Sequence, residues 1–244
     1  MPKAKYEKIY QIIKERIEAN EYEYQQLLPS ENTFVIEFNS SRNTIRRALV
    51  SLANEGYVQS LQGKGVRVIY QPHRTSQYSL SGIESLYEST QRNQTIYSTK
   101  VILFVKLIVD EKIHKRTSFP VGEEIYYMQR VRFLENVPLI IDHNYFLTKV
   151  VSHLTAEIAE ESIYNYLENT LDIHITTAKR IVTVEPITQI DEEYLQLDGL
   201  NCVAVVSNYT YNDDGVMFEF TQSRHSPKHF EFHQFAQRTR PYLV

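Results

Sequence analysis

Four side chains crowd together at Arg42, Asn43, Arg46 and Arg47. Spacings of one, three and four residues put them on one side of two helical turns. A guanidinium fork matches the two acceptors of guanine and a carboxamide matches adenine, so the cluster has the donors to read base edges in a DNA major groove. A second pair, Arg130 and Arg132, stands in a stretch rich in β-branched and aromatic residues, Ile125–Leu134. Strand alternation puts both on one face with Tyr126, Met128 and Leu134. Two forks on an otherwise apolar face are costly to bury unless paired. They suit a phosphate or carboxylate, and an internal salt bridge, for example to Asp142 or Glu219, answers the same cost. Ser162 and Tyr164 can add hydroxyl donors, and Ser81–Ser85 can open a helix whose amides face an anion.

The elements that must carry these residues are legible in the periodicity. Tyr6, Ile9, Tyr10, Ile13 and Ile17 make one face of a first helix. Pro29 and Ser30 break it and start a short second helix that buries Phe34, Val35 and Phe38. After a turn at Asn39–Ser41, a third helix buries Ile45, Ala48, Leu49 and Leu52 and ends at Gly56. Residues Tyr57–Leu61 and Val66–Ile69 read as strands joined by Gln62, Gly63, Lys64 and Gly65, a hairpin that lets backbone and the Lys64 charge approach phosphates or a minor groove. Two short helices and a wing describe a winged helix-turn-helix over residues 1–70. The polar stretch 71–79 reads as a linker and 80–244 as a second domain. There the expected strands are Lys100–Asp110, Ile125–Leu134, Leu139–Phe146, Arg180–Ile190, Val203–Tyr211 and Val216–Arg224, with helices over Thr155–Leu171 and Asp191–Leu197. That pattern predicts an α+β domain on a largely antiparallel sheet.

Composition agrees with a DNA partner once its distribution is considered. The 244 residues carry a formal charge of −4, yet residues 1–76 hold 11 Lys/Arg against 8 Asp/Glu. A basic footprint confined to one segment fits backbone contacts, as does a merely solvated helix face. A single cysteine, Cys202, excludes an intrachain disulfide framework. No apolar run approaches the roughly 20 residues that span a bilayer, and no signal peptide precedes the first helix, so a cytoplasmic protein without membrane contact is expected. His225, His229 and His233 are spaced by four, but Pro227 interrupts the helix that would align them, so no metal is expected. His143 beside Asp142 reads as a strand residue, and no P-loop, dinucleotide fingerprint or nucleophile elbow is present; no catalytic residue is assigned.

The motifs LLPSE (Leu27–Glu31), SSRNTIRRAL (Ser40–Leu49), LANEGYV (Leu52–Val58) and QGKG (Gln62–Gly65) together resemble the DNA-binding domain of the GntR family. The resemblance implies that Arg42 and Arg46 contact bases or adjacent phosphates, that Ser30, Asn43 and Thr44 hold the backbone, and that Gln62 and Gly63 reach the minor groove. Asn32 departs from the basic residue that the family often has three positions after Pro29.

The second domain is similar to the UTRA effector domain of the HutC subfamily, through SLSGIES (Ser79–Ser85), VDEKI (Val109–Ile113), FPVGEEIYYMQRVR (Phe119–Arg132), LIIDHNYF (Leu139–Phe146), ESIYNYLE (Glu161–Glu168), AKR (Ala178–Arg180) and FEFTQSRH (Phe218–His225). This resemblance, and that to repressors of trehalose operons, implies a chorismate-lyase-like fold and trehalose 6-phosphate as effector, with no cofactor. It implies that Arg130, Arg132, Ser162 and Tyr164 hold the phosphate with help from Ser81 and Ser85, and that Asp142 and Glu219 accept from sugar hydroxyls. Other phosphorylated ligands, such as glucosamine 6-phosphate, fit the arginine pair equally well, and Tyr126, Tyr145 and Tyr164 suit stacking on pyranose rings and core packing alike. A lyase-like enzyme domain fused to a DNA-binding head is the rival of a different class. Binding to two half-sites of double-stranded operator DNA predicts a homodimer.

Overall fold

The computed structural model describes residues 5–71, Ile83, residues 97–232, Phe235 and Ala236. They form two compact units, one of the described residues up to Gln71 with Phe235 and Ala236, the other of Ile83 and residues 97–232. The expected linker, apart from Gln71, and both Ser81 and Ser85 lie outside the described residues.

In the first unit α1 (Lys5–Glu18) buries Ile9, Ile13 and Ile17, as its spacing predicts. The next helix, α2 (Glu31–Glu37), starts where Ser30 Oγ accepts the Thr33 amide. Helix α3 (Arg42–Asn54) starts where Ser41 Oγ accepts the Thr44 amide, and it buries Ile45, Ala48, Leu49 and Leu52. Each cap satisfies a donor that the first helical turn leaves without an internal partner. Gly56 follows at φ +80°, and the ring of Phe235 lies against it, 2.6 Å from where a Cβ would stand. Strands β1 (Val58–Leu61) and β2 (Gly65–Val68) pair antiparallel as the wing. The expectation missed a third partner: Gln25–Leu28 bonds along β2, with Leu28 N to Val66 O at 2.8 Å and Val68 N to Gln26 O at 2.9 Å. That segment ties the stretch before α2 to the wing.

The second unit is a six-stranded antiparallel sheet in the order β3 (Tyr97–Ile108), β4 (Glu124–Leu134), β5 (Val137–Leu147), β8 (Met217–His225), β7 (Cys202–Asn212), β6 (Ile175–Pro186). The fold class is therefore α+β. Among the described residues, four short helices cover the sheet: α4 (Glu111–Thr117), α5 (Ala156–Glu160), α6 (Ile163–Asn169) and α7 (Gln189–Tyr194). Leu154, Ala159, Ile163 and Leu167 pack with Tyr126, Met128, Phe146 and Phe218 on one face.

Three sequence expectations need correction. The single helix over Thr155–Leu171 is two, because Glu161 leaves helical geometry (ψ −123°) and Ser162 caps a new helix by accepting the Asn165 amide. Strand β6 begins at Ile175 and ends at Pro186, whereas Arg180–Ile190 was expected. It stops early because Asp191 accepts from the Thr188 amide at 2.7 Å and so starts α7. Helix α4 was not foreseen; its signal is Asp110, whose carboxylate accepts the Ile113 amide at 2.7 Å.

Candidate DNA-reading surface and anion site

On the first unit, Arg42, Asn43 and Arg46 are exposed along α3, and the wing tip Gln62–Gly65 is exposed as well. The arginines are not loose. Arg42 Nη2 donates to Asn32 Oδ1 at 2.8 Å, and Arg46 Nε donates to both Glu31 oxygens at 3.0 Å. The Arg47 guanidinium stacks 4.1 Å from the centre of the Tyr6 ring. A shallow depression lined by Tyr6, Asn43, Arg46, Arg47, Val50 and Ser51 lies beside them. Ser30 and Thr44 serve the caps: Ser30 Oγ also lies 2.9 Å from Thr33 Oγ1, and Thr44 Oγ1 lies 2.8 Å from Ser41 Oγ. Gly63 and Gly65 sit at φ +71° and +103°, a backbone that L side chains rarely adopt.

On the second unit, strand register decides which candidates meet. Arg130 stands opposite Asp142, and Asp142 stands opposite Ser223. Arg130 is 5% exposed and donates from Nε to Asn144 Oδ1 at 2.8 Å and from Nη1 to the Ala159 carbonyl at 3.1 Å. Its Nη2 lies 3.5 Å from Asp142 Oδ2. Arg132 Nε donates to that same oxygen at 2.6 Å, and its Nη1 reaches the Tyr97 hydroxyl and Thr99 Oγ1. Ser223 Oγ donates to Asp142 Oδ1 at 2.6 Å. The internal pairing to Asp142 therefore exists, but one carboxylate serves two guanidiniums.

The electrostatics follow from that count. Burial acts to raise the Asp142 carboxyl, but Arg132 and Arg130 outweigh it and hold it at about 2. Burial, with the Arg132 charge beside it, brings Arg130 down to about 10, still cationic at neutral pH. Glu219 is no ion-pair partner of the arginines: it accepts from Tyr164 OH at 2.9 Å and Thr221 Oγ1 at 2.7 Å. Burial pushes its carboxyl up, toward the neutral form. Asp142 thus sets one carboxylate against the two guanidiniums that it holds.

Tyr164 reaches this face from α6, the Ala159 carbonyl holds Arg130 from the end of α5, and Ser162 Oγ accepts the Asn165 amide at the start of α6. Tyr126 is buried in the core beneath the helices. Tyr145 belongs to the other face, with its ring 4.6 Å from Tyr127 and 5.7 Å from Phe220, so it does not line the arginine cluster. Sequence reasoning missed Asn144, Thr221 and Ser223, which continue the polar row beside Asp142 and Glu219. Their signal was available: Asp142/Asn144 and Glu219/Thr221/Ser223 recur at spacing two on apolar strands. In the next row, Arg180 Nε donates to Asn208 Oδ1 at 2.8 Å.

Residues 5–68 match the model for bacterial regulatory proteins of the gntR family, and residues 92–231 match the UTRA domain. The HTH-type transcriptional regulator TreR of Bacillus subtilis is 36% identical over 230 residues, 94% of this chain and 96% of that protein. GmuR, a regulator from the same organism, is 28% identical over 91% of this chain and 93% of its own length. The crystal structure of the possible regulator YydK from B. subtilis aligns with a TM-score of 0.79 at 23% identity, covering 96% of this chain and all of that one. The effector-binding domain of the B. subtilis trehalose repressor aligns with a TM-score of 0.53 at 36% identity, over 59% of this chain and 99% of that one.

Proposed function

Because the chain belongs to the gntR family of bacterial regulatory proteins and carries a UTRA domain, we propose that it is an operator-bound repressor released by a phosphorylated sugar, trehalose 6-phosphate. The chain is a transcriptional regulator. The observation that carries release by a phosphorylated sugar is the shared carboxylate, with Arg130 and Arg132 both held on Asp142 Oδ2. Guanidiniums arranged this way offer fixed donors and net positive charge to a phosphoryl group, which is how planar forks recognise phosphate. Ser162 and Tyr164 supply hydroxyls from above, and Asn144, Thr221 and Glu219 supply the donors and acceptors that sugar hydroxyls need. The choice of sugar rests on the likeness to TreR.

Regulation requires that the ligand bind one arrangement of a homodimer's two DNA-reading heads better than another. A typical coupling of about 1–3 kcal/mol corresponds to a change of about 5- to 150-fold in operator affinity. The test is fluorescence anisotropy on a duplex selected by the protein from a random library, at fixed salt. Trehalose 6-phosphate, trehalose and glucosamine 6-phosphate are titrated in turn, then again with Arg132→Ala. Release by trehalose 6-phosphate alone, lost in the variant, is the expected result. Release by glucosamine 6-phosphate alone would replace the sugar, and indifference to all three would remove the sugar-phosphate reading.

A further inference from the structure

Asn32 is exposed in the first turn of α2, and its carbonyl oxygen accepts from Arg42 Nη2 at 2.8 Å. One residue earlier, Glu31 takes Arg46 Nε on both oxygens at 3.0 Å. The two acceptors are adjacent at the start of α2, and the two arginines are four apart on α3, so one short helix holds both forks of the next. From this geometry we infer that Glu31 and Asn32 are positioning residues that trade general phosphate attraction for sequence discrimination by Arg42 and Arg46. The inference rests on the reading of α3 as the DNA-reading helix.

The chemistry supports that division. Arg46 is bound through Nε, which leaves its Nη1 and Nη2 edge, the pair matched to guanine O6 and N7, for a base. A mobile arginine finds a phosphate on any sequence, whereas one held at a fixed height and angle gains most where a base presents two acceptors. Glu31 also offsets the Arg46 charge, which weakens the sequence-independent part of binding without removing the fork. Asn32 adds an acceptor and no cation. Tyr6 confines Arg47 by a different contact, ring to guanidinium, outside this pair.

The experiment uses the full chain, a duplex selected by the wild type from a random library, and a scrambled duplex of the same length. Binding is measured by anisotropy across a salt series. Glu31→Gln and Asn32→Ala are expected to lose about tenfold on the selected duplex, the scale of one well-placed base contact, while the scrambled duplex is bound more tightly by Glu31→Gln, which frees the Arg46 charge, and about equally by Asn32→Ala. Asn32→Lys is expected to bind the scrambled duplex more tightly and to steepen the salt slope by about 0.9 per head, one added phosphate contact. Asn32→Asp, which keeps an acceptor for Arg42, is expected to retain the wild-type ratio of the two affinities. Equal losses on both duplexes, or an unchanged ratio in every variant, would overturn the positioning role while leaving α3 as the reading helix. Failure of the wild type to select any sequence would overturn both.

Discussion

Arg132 Nε and Asp142 Oδ2 are 2.6 Å apart on neighbouring strands, and the same oxygen already faces Arg130. The carboxylate is 5% exposed, so the shared bond is made in a medium that screens it poorly. This relationship governs both stability and ligand chemistry in the second unit.

Asp142→Asn leaves two buried guanidiniums without an ionised partner. Breaking a buried pair in this way costs about 3–5 kcal/mol, and urea unfolding at neutral pH measures it. Millimolar inorganic phosphate is expected to restore part of the loss by replacing the missing charge. A variant as stable as the parent would show that Asp142 is not needed to hold the arginines.

Acid sensitivity begins well above the carboxylate range. Burial, helped by the Arg116 and Arg224 charges, lowers His143 to about 4, and burial lowers His225 to about 4. The unfolded chain binds these protons near pH 6.5 and the folded chain does not, so their contribution is present above that pH and is lost as pH falls to 4. Asp142, held at about 2, adds a second loss between about pH 4 and 2. Urea midpoints for His143→Gln are expected to fall less between pH 7 and pH 5 than those of the parent. Parallel pH curves would contradict the assignment.

Ser162→Ala removes the cap that separates α5 from α6. A lost cap costs about 1 kcal/mol, and here the loosened helix also carries Tyr164, which donates to Glu219. Thermal unfolding should show the stability loss. Sugar-phosphate titration should show weaker release at unchanged operator affinity.

Gly56→Ala forces an L side chain into φ +80°, against the Phe235 ring. The left-handed backbone alone costs roughly 1–2 kcal/mol, and Gly56→Asn should be milder because asparagine tolerates that region. Equal stability of the two variants, by urea unfolding, would remove the backbone explanation.

Local chemistry made the first unit almost fully legible. Ser30, Ser41 and Gly56 mark helix ends by hydrogen bonds and backbone angles within a few residues, and the stripe Ile45, Ala48, Leu49, Leu52 needs only the period of a helix. The strands of the second unit were readable by alternation, which placed Arg130 and Arg132 on one face. Seven-residue α4 and the break at Glu161 were not, because one capping residue outweighs propensity over so short a span. Sequence by itself therefore determined most of the elements, the two paired-arginine clusters and the family. Which acceptor each arginine met was decided only by tertiary structure. Asn32 and Glu31 lie 10 and 15 residues from Arg42 and Arg46, and Ser223 lies 81 from Asp142. Such pairs meet through helix docking and strand register, which depend on the packing of the whole chain rather than on any local period.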